Sequence, residues 1–119
     1  AFLAGGIWCM AMHAYSAVPD ITPDRQAGLK TIATQLGFRS TLLLCLFLYT
    51  AAAALSAPYL GIGLASGLGL VYIVVCLISL RQPDAESVMR VYRYLPLINT
   101  FSGFLISLKL IAPHIRIAA

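Results

Sequence analysis

Four long apolar runs, separated by short segments that carry most of the charge, leave this chain few ways to fold. The runs cover residues 1 to about 18, about 38 to 57, 59 to 80, and about 95 to 113. Each comes close to or meets the roughly 17–25 residues that a helix needs to cross a bilayer. Inside hydrocarbon every backbone N–H and C=O must be satisfied by the protein, so only helices and closed barrels span. Barrel strands would alternate apolar and polar positions, and no run does so. The sequence therefore predicts an all-α membrane protein with four transmembrane helices. Composition agrees: 61% of the 119 residues are hydrophobic and 10% are charged, against about 25% charged in a soluble domain.

The placement of charge sets an orientation. Arg25, Lys30 and Arg39 lie around the start of the second run, and Arg81, Arg90 and Arg93 follow the third. The link Ser56-Ala57-Pro58-Tyr59 between those runs is uncharged. By the positive-inside rule both basic segments are cytoplasmic, and the chain ends outside with His114 and Arg116 near the interface. The net charge of +4 thus reports topology and gives no sign of a nucleic-acid partner. Cys9, Cys45 and Cys76 are far apart and each lies in an apolar run. They form neither a metal motif nor a disulfide framework and are expected to be packing residues. Because Ala1 already stands inside an apolar run, the chain reads as the C-terminal part of a longer protein.

Asp20 and Asp24, half of the 4 acidic residues, sit between the first two runs. A charge at a bilayer centre costs at least ~2.5–3.5 kcal/mol, so acids in such a setting suggest function. With Arg25, Gly28 and Thr31 they give the order D-x-x-x-D-R-x-x-G-x-x-T, with Lys30 alongside. Residues four apart share a helix face, although Pro19 and Pro23 interrupt a continuous helix. The first helix is expected to unwind near Val18–Pro19, and a short helix to restart around Pro23 or Asp24. Two close carboxylates suit a hard cation, and magnesium commonly takes one or two of them plus substrate phosphates. Such an ion neutralises a diphosphate and stabilises it as a leaving group. Arg25 and Lys30 are placed to add charge-assisted contacts to the phosphates. An allylic cation formed on ionisation needs aromatic faces, for which Trp8 and Tyr15 are candidates.

Two further residues are pocket candidates with plain structural alternatives. His13 shares a helical face with positions 17, 20 and 24, yet a lone histidine there is more often a hydrogen-bonded structural residue. Ser16, one turn before Asp20, suits a water or phosphate oxygen, or else bonds back to its own helix. Residues 27–37 read as an amphipathic cap, with Leu29, Ile32, Ala33 and Leu36 on one side. Residues 84–94 read similarly, with Val88, Val91 and Leu95 inward, a Glu86–Arg90 pair at helical spacing, and Arg90 and Arg93 anchoring lipid headgroups. In the third run Gly61, Gly63, Gly67 and Gly69 include a Gly63-x-x-x-Gly67 pair, the spacing that lets helices approach closely, or else a smooth wall facing a long lipid substrate.

The run DITPDRQAGLKTIATQLG resembles the second aspartate-rich motif of the UbiA-type intramembrane prenyltransferases. The layout is similar too: one membrane helix before the motif, three after it and a short cap before the last. The wider phrase MHAYSAVPDITPDRQAG is most similar to the carotenoid-modifying branch, the lycopene elongases. Quinone-directed branches often carry a tyrosine four residues before the first aspartate, where this chain has Ser16 with Tyr15 beside it. The resemblance implies that residues 1–119 are the final four helices of a nine-helix prenyltransferase bundle, part of a single domain whose first aspartate-rich motif lies upstream. It implies transfer of a prenyl group, dimethylallyl in this branch, from an allylic diphosphate donor to a lipophilic acceptor, with Mg2+. The acceptor would be lycopene or a related carotenoid, and an aromatic quinone precursor is the alternative. On this reading Asp20 and Asp24 are catalytic and bind the metal, while Arg25 and Lys30 bind the diphosphate. This chain alone would be inactive.

Other classes fit less well. CDP-alcohol phosphotransferases also end a signature in D-x-x-x-D, but they need a glycine where Ser16 stands and an arginine upstream, and none precedes Arg25. A non-enzymatic cation-binding transporter would favour acids well inside a span, not a pair followed by Arg25 and Lys30 at a mouth.

Overall fold

The structure, a computed structural model, describes the backbone of residues 1–118 and the side chains of residues 1–112. The expected interfacial places of His114 and Arg116 fall outside those described side chains. Among the described residues the chain is wholly helical: α1 (Phe2–Ser16), α2 (Ile21–Gln26), α3 (Ile32–Leu36), α4 (Phe38–Leu60), α5 (Ile62–Leu80), α6 (Val88–Tyr92) and α7 (Leu95–Ala118). Three stretches are long and apolar enough to cross a membrane: Phe38–Leu60, Ile62–Leu80 and Val88–Ala112. The fourth expected span, α1, is 15 residues long as described, which falls short of that length. At its C-terminal end the chain leaves the helix at Ala17, ahead of Pro19 and Asp20.

The hairpin between α4 and α5 departs from the expected link at residues 56–59. The helix runs on through Pro58 to Leu60, and the break comes at Gly61, with φ of +84°. Proline forfeits its own N–H but leaves later amides free to bond, and the Gly61 N–H still donates to the Ala57 carbonyl at 2.9 Å. Reversal needs a positive φ, which glycine adopts without a side-chain clash.

α4 and α5 then lie close together, and Gly69 is the reason. A Cβ built there would stand 2.5 Å from the Ala53 Cβ, whereas at Gly63 and Gly67 it would meet nothing within 4 Å. Among the described residues the Gly63-x-x-x-Gly67 pair makes no close helix contact: those glycines line an open groove between α5 and α7, in keeping with the smooth-wall alternative, and the tight contact belongs to Gly69. Spacing alone does not tell which face of a helix meets its neighbour.

The core holds Tyr15, Val18, Leu42, Cys45, Cys76, Val88 and Leu95, all at or near zero exposure. Cys45 and Cys76 are the packing residues expected, but Cys9 is exposed. At one end of the bundle the fully buried Tyr15 hydroxyl pairs with Ser79 Oγ. Ser79 spends its own hydrogen on the Val75 carbonyl at 2.8 Å, so Tyr15 is the donor. The same ring stacks on Tyr92, with centroids 6.4 Å apart. This one side chain ties the C-terminal ends of α1 and α5 to α6. The aspartate segment and the Arg81–Tyr94 segment consequently sit at the same end. Val88 and Leu95 are buried and Val91 half-buried, as expected, although only Val88–Tyr92 of that segment is helical. Arg90 donates to Gln82 Oε1 at 3.5 Å and not to Glu86.

Candidate functional site

Asp20 is the N-cap of α2, and Asp24 lies one turn on, its N–H donating to the Asp20 carbonyl at 2.9 Å. The short helix thus restarts at Ile21, slightly earlier than expected, with Pro23 in its first turn where a missing N–H costs little. That proline has a second effect. An N-cap carboxylate ordinarily accepts from the backbone N–H two or three residues on, and Pro23 is the third residue after Asp20. The Asp20 side chain makes no capping bond and stands exposed, with the Asp24 side chain half-buried behind it. Neither carboxylate is consumed by the fold in the way an N-cap usually is.

The residues after the pair turn the chain back. Gly28, at φ +71°, stands just past the end of α2. Its N–H bonds the Arg25 carbonyl at 3.2 Å, and the Leu29 N–H bonds the Asp24 carbonyl at 2.8 Å. These two bonds make a Schellman closure, whose left-handed position favours glycine. Thr31 then caps α3 reciprocally with Thr34. Arg25 reaches across the turn and donates from Nη2 to the Thr34 carbonyl at 3.3 Å. The glycine and threonine of the motif are thus explained by backbone geometry, while the Arg25 and Lys30 side chains are exposed. The cap is smaller than expected. Of its predicted apolar side only Ala33 is buried, and Leu29, Ile32 and Leu36 are exposed.

The three pocket candidates on α1 go different ways. Ser16 Oγ donates to the His13 carbonyl at 2.9 Å, a back-bond within its own helix. His13 is exposed. Tyr15 is fully buried and engaged by Ser79 and Tyr92, so its ring serves the core.

An apolar cavity of about 290 Å³ opens farther along the bundle, lined by Trp8, Tyr49, Tyr72, Asn99 and Ser102 among others. Its aromatic wall is ordered: Tyr49 stacks on Tyr72 at 4.7 Å, and Trp8 meets the edge of Tyr72 at 5.9 Å. Trp8, an aromatic candidate from the sequence, lines this space, whereas His13, Tyr15 and Ser16 do not. Sequence reasoning missed Tyr72 and Asn99. The available signal was a lone amide and a tyrosine inside otherwise apolar runs, a placement that calls for an interior partner. Tyr72 donates its hydroxyl hydrogen to Asn99 Oδ1 at 2.8 Å.

No group of three or more His, Cys, Asp or Glu side chains converges to hold a metal among the described residues. Two carboxylates supply hard oxygen donors, which fit magnesium as a partial set completed by substrate phosphates and water. They do not fit zinc, which favours four nitrogen or sulfur ligands.

A helical membrane chain with an uncommitted carboxylate pair and two cations at one end, and an aromatic-walled cavity within, defines a class of intramembrane proteins suited to anionic and lipophilic ligands. Residues 1–98 match the family described as UbiA prenyltransferase, and the chain belongs to that family. A lycopene elongase/hydratase of Haloferax volcanii is 42% identical over 103 residues, 86% of this chain and 33% of the relative. The protein of that name in Halobacterium salinarum is 37% identical over 107 residues, covering 89% and 38%. One from Corynebacterium glutamicum is 33% identical over 112 residues, covering 91% and 39%. The chain therefore spans a third to two-fifths of these relatives. No solved structure matches it.

Proposed function

We infer that the full-length parent of this chain transfers a dimethylallyl group from its diphosphate to lycopene or a related carotenoid. The observation that carries the reading is the Asp20–Asp24 pair, free of capping duty and flanked by Arg25 and Lys30, in a chain of the prenyltransferase family. The names of the relatives support a carotenoid acceptor over an aromatic quinone precursor. Magnesium, when bound, neutralises the diphosphate and stabilises it as it departs. Asp20 and Asp24 would hold that ion, and Arg25 and Lys30 would hold the phosphates by charge-assisted bonds. Trp8, Tyr49 and Tyr72 would line the path of the acceptor and exclude water from most of it.

On this reading residues 1–119 supply the last four spans of a nine-helix domain in the cell membrane, α1 being completed by residues upstream. The aspartate segment faces the cytoplasm, lipid surrounds the apolar outer faces, and the chain alone is inactive for want of a first aspartate-rich motif. The test is expression of the full-length parent in a lycopene-producing host, with Asp20→Asn and Asp24→Asn beside it. The parent should add one or two five-carbon units to the carotenoid, and each variant should abolish turnover at unchanged protein level. Near-normal turnover in either variant would reduce the pair to a loop feature. Untouched lycopene together with a prenylated hydroxybenzoate or naphthoate would overturn the carotenoid assignment and leave the reaction class.

A further inference from the structure

The histidine singled out by the sequence pattern has no work in the fold. Its side chain is exposed and makes no hydrogen bond among the described residues. Gly6, Cys9 and Met10 are exposed with His13 on one side of α1, while Ala4, Ala11, Ala14 and Tyr15 on the other side are buried. At about 3.6 residues per turn the exposed stripe runs on through position 17 to Asp20, whose side chain is exposed too. A histidine within a membrane-spanning segment faces protein or a polar chamber, and rarely lipid. The core points the same way. The cavity's lining on α1 ends at Trp8, and beyond it the inner side is closed by Ala11, Ala14 and Tyr15, each at 2% exposure or less. A substrate held at Asp20 therefore meets the acceptor along the outer stripe, not through the core. The cavity opens past Gly5, which lines it and is exposed, so a long acceptor can keep its far end there.

The depth of that histidine gives it a use. His13 lies two helical turns before Asp20, or about 10 Å if a rise of 1.5 Å per residue holds through the turn. A five-carbon diphosphate anchored at Asp20 and directed into the membrane has a comparable length, so its reacting carbon falls near the His13 level. We propose that His13 is the base that takes the proton released when the carbocation left by prenyl transfer becomes an alkene. The proposal rests on the prenyltransferase reading above. The donor's C–O bond breaks and its electron pair leaves on the diphosphate. The π pair of the acceptor's terminal double bond forms the new C–C bond, which leaves a tertiary cation. A neighbouring C–H then gives its electron pair to a new double bond, and its proton passes to the lone pair of the imidazole. The imidazolium hands that proton to the released diphosphate, which frees the ring for the next turnover. Imidazole takes up and returns a proton near neutral pH more readily than other side chains. Charged Arg25 and Lys30 have no lone pair to offer, and Asp20 and Asp24 serve the metal in this reading.

The experiment uses the purified full-length parent in lipid vesicles with lycopene, dimethylallyl diphosphate and magnesium, beside His13→Ala and His13→Gln. Turnover and donor KM are read from the prenylated carotenoid, and folded yield from size exclusion in detergent. Both variants should lose about 10²–10⁴-fold in kcat, the usual share of a positioned base, with donor KM and folded yield unchanged. Free imidazole in the medium should return part of the turnover to His13→Ala and none to His13→Gln, whose side chain fills the space. Wild-type kcat in His13→Gln, a loss in His13→Ala that imidazole leaves unrescued, or a loss confined to donor KM overturns the base assignment. A folded yield that falls in step with turnover overturns it too, in favour of a structural role. Absence of any prenylated carotenoid in the wild type overturns the parent reading instead, so the two failures are distinguishable.

Discussion

Replacing Gly69 by alanine is the sharpest test of how α4 and α5 fit together. The added methyl would stand 2.5 Å from the Ala53 Cβ, whereas carbon atoms in contact prefer about 3.5–4.0 Å. The helices must therefore separate locally by about 1.0–1.5 Å, since both atoms belong to the rigid helical scaffold. Overpacking of this kind costs roughly 1–3 kcal/mol. The higher helix propensity of alanine returns at most about 1 kcal/mol, so the steric cost should win. Gly67→Ala is the matched control: its methyl meets nothing within 4 Å, leaving only the propensity gain. Unfolding of the full-length parent in detergent should rank Gly67→Ala at or above wild type and Gly69→Ala below it, with a spread of about 1–3 kcal/mol. The double variant Gly69→Ala with Ala53→Gly removes the clashing pair and should recover part of the loss as a coupling energy. Gly69 and Ala53 also line the cavity, so separation of the helices should lower acceptor turnover as well. Equal stability of Gly69→Ala and Gly67→Ala would refute the close approach and the packing argument with it.

Three further outcomes follow from the geometry. Tyr15→Phe removes the hydroxyl that donates to Ser79 in the core and should lower stability by about 0.5–1.5 kcal/mol in a detergent melt, leaving the ring stack on Tyr92 in place. Arg25→Gln gives up a charge-assisted contact in the proposed phosphate role, so kcat/KM for the allylic diphosphate should fall roughly 10–100-fold. Its exposed bond to the Thr34 carbonyl is minor, so an unfolding midpoint that drops in parallel would point to a structural role. Asp84 accepts the Ser87 N–H at 2.8 Å, and that bond holds its carboxyl below the usual range. The turn should be fully held above the ordinary carboxylate pKa and should loosen as pH falls through the lowered folded value, read as faster amide exchange at Ser87.

Hydropathy and charge placement were enough to dictate a helical membrane chain, because apolar length and backbone satisfaction admit little else. The order of residues around Asp20 was enough to single out a candidate site, since carboxylates, cations and prolines rarely meet between two apolar runs for structural reasons. The phrase around that pair also identified the family, as the matching family model bears out. Tertiary structure decided what depends on facing. It gave the close helix contact to Gly69 and not to the Gly63–Gly67 spacing, buried Tyr15 in the core, and spent Ser16 on its own helix. It also gathered Trp8, Tyr49, Tyr72 and Asn99 around one cavity from four separate runs. A run apolar on every side carries no amphipathic stripe to announce its inner face. Which of its polar groups meet is settled only when the helices close on one another.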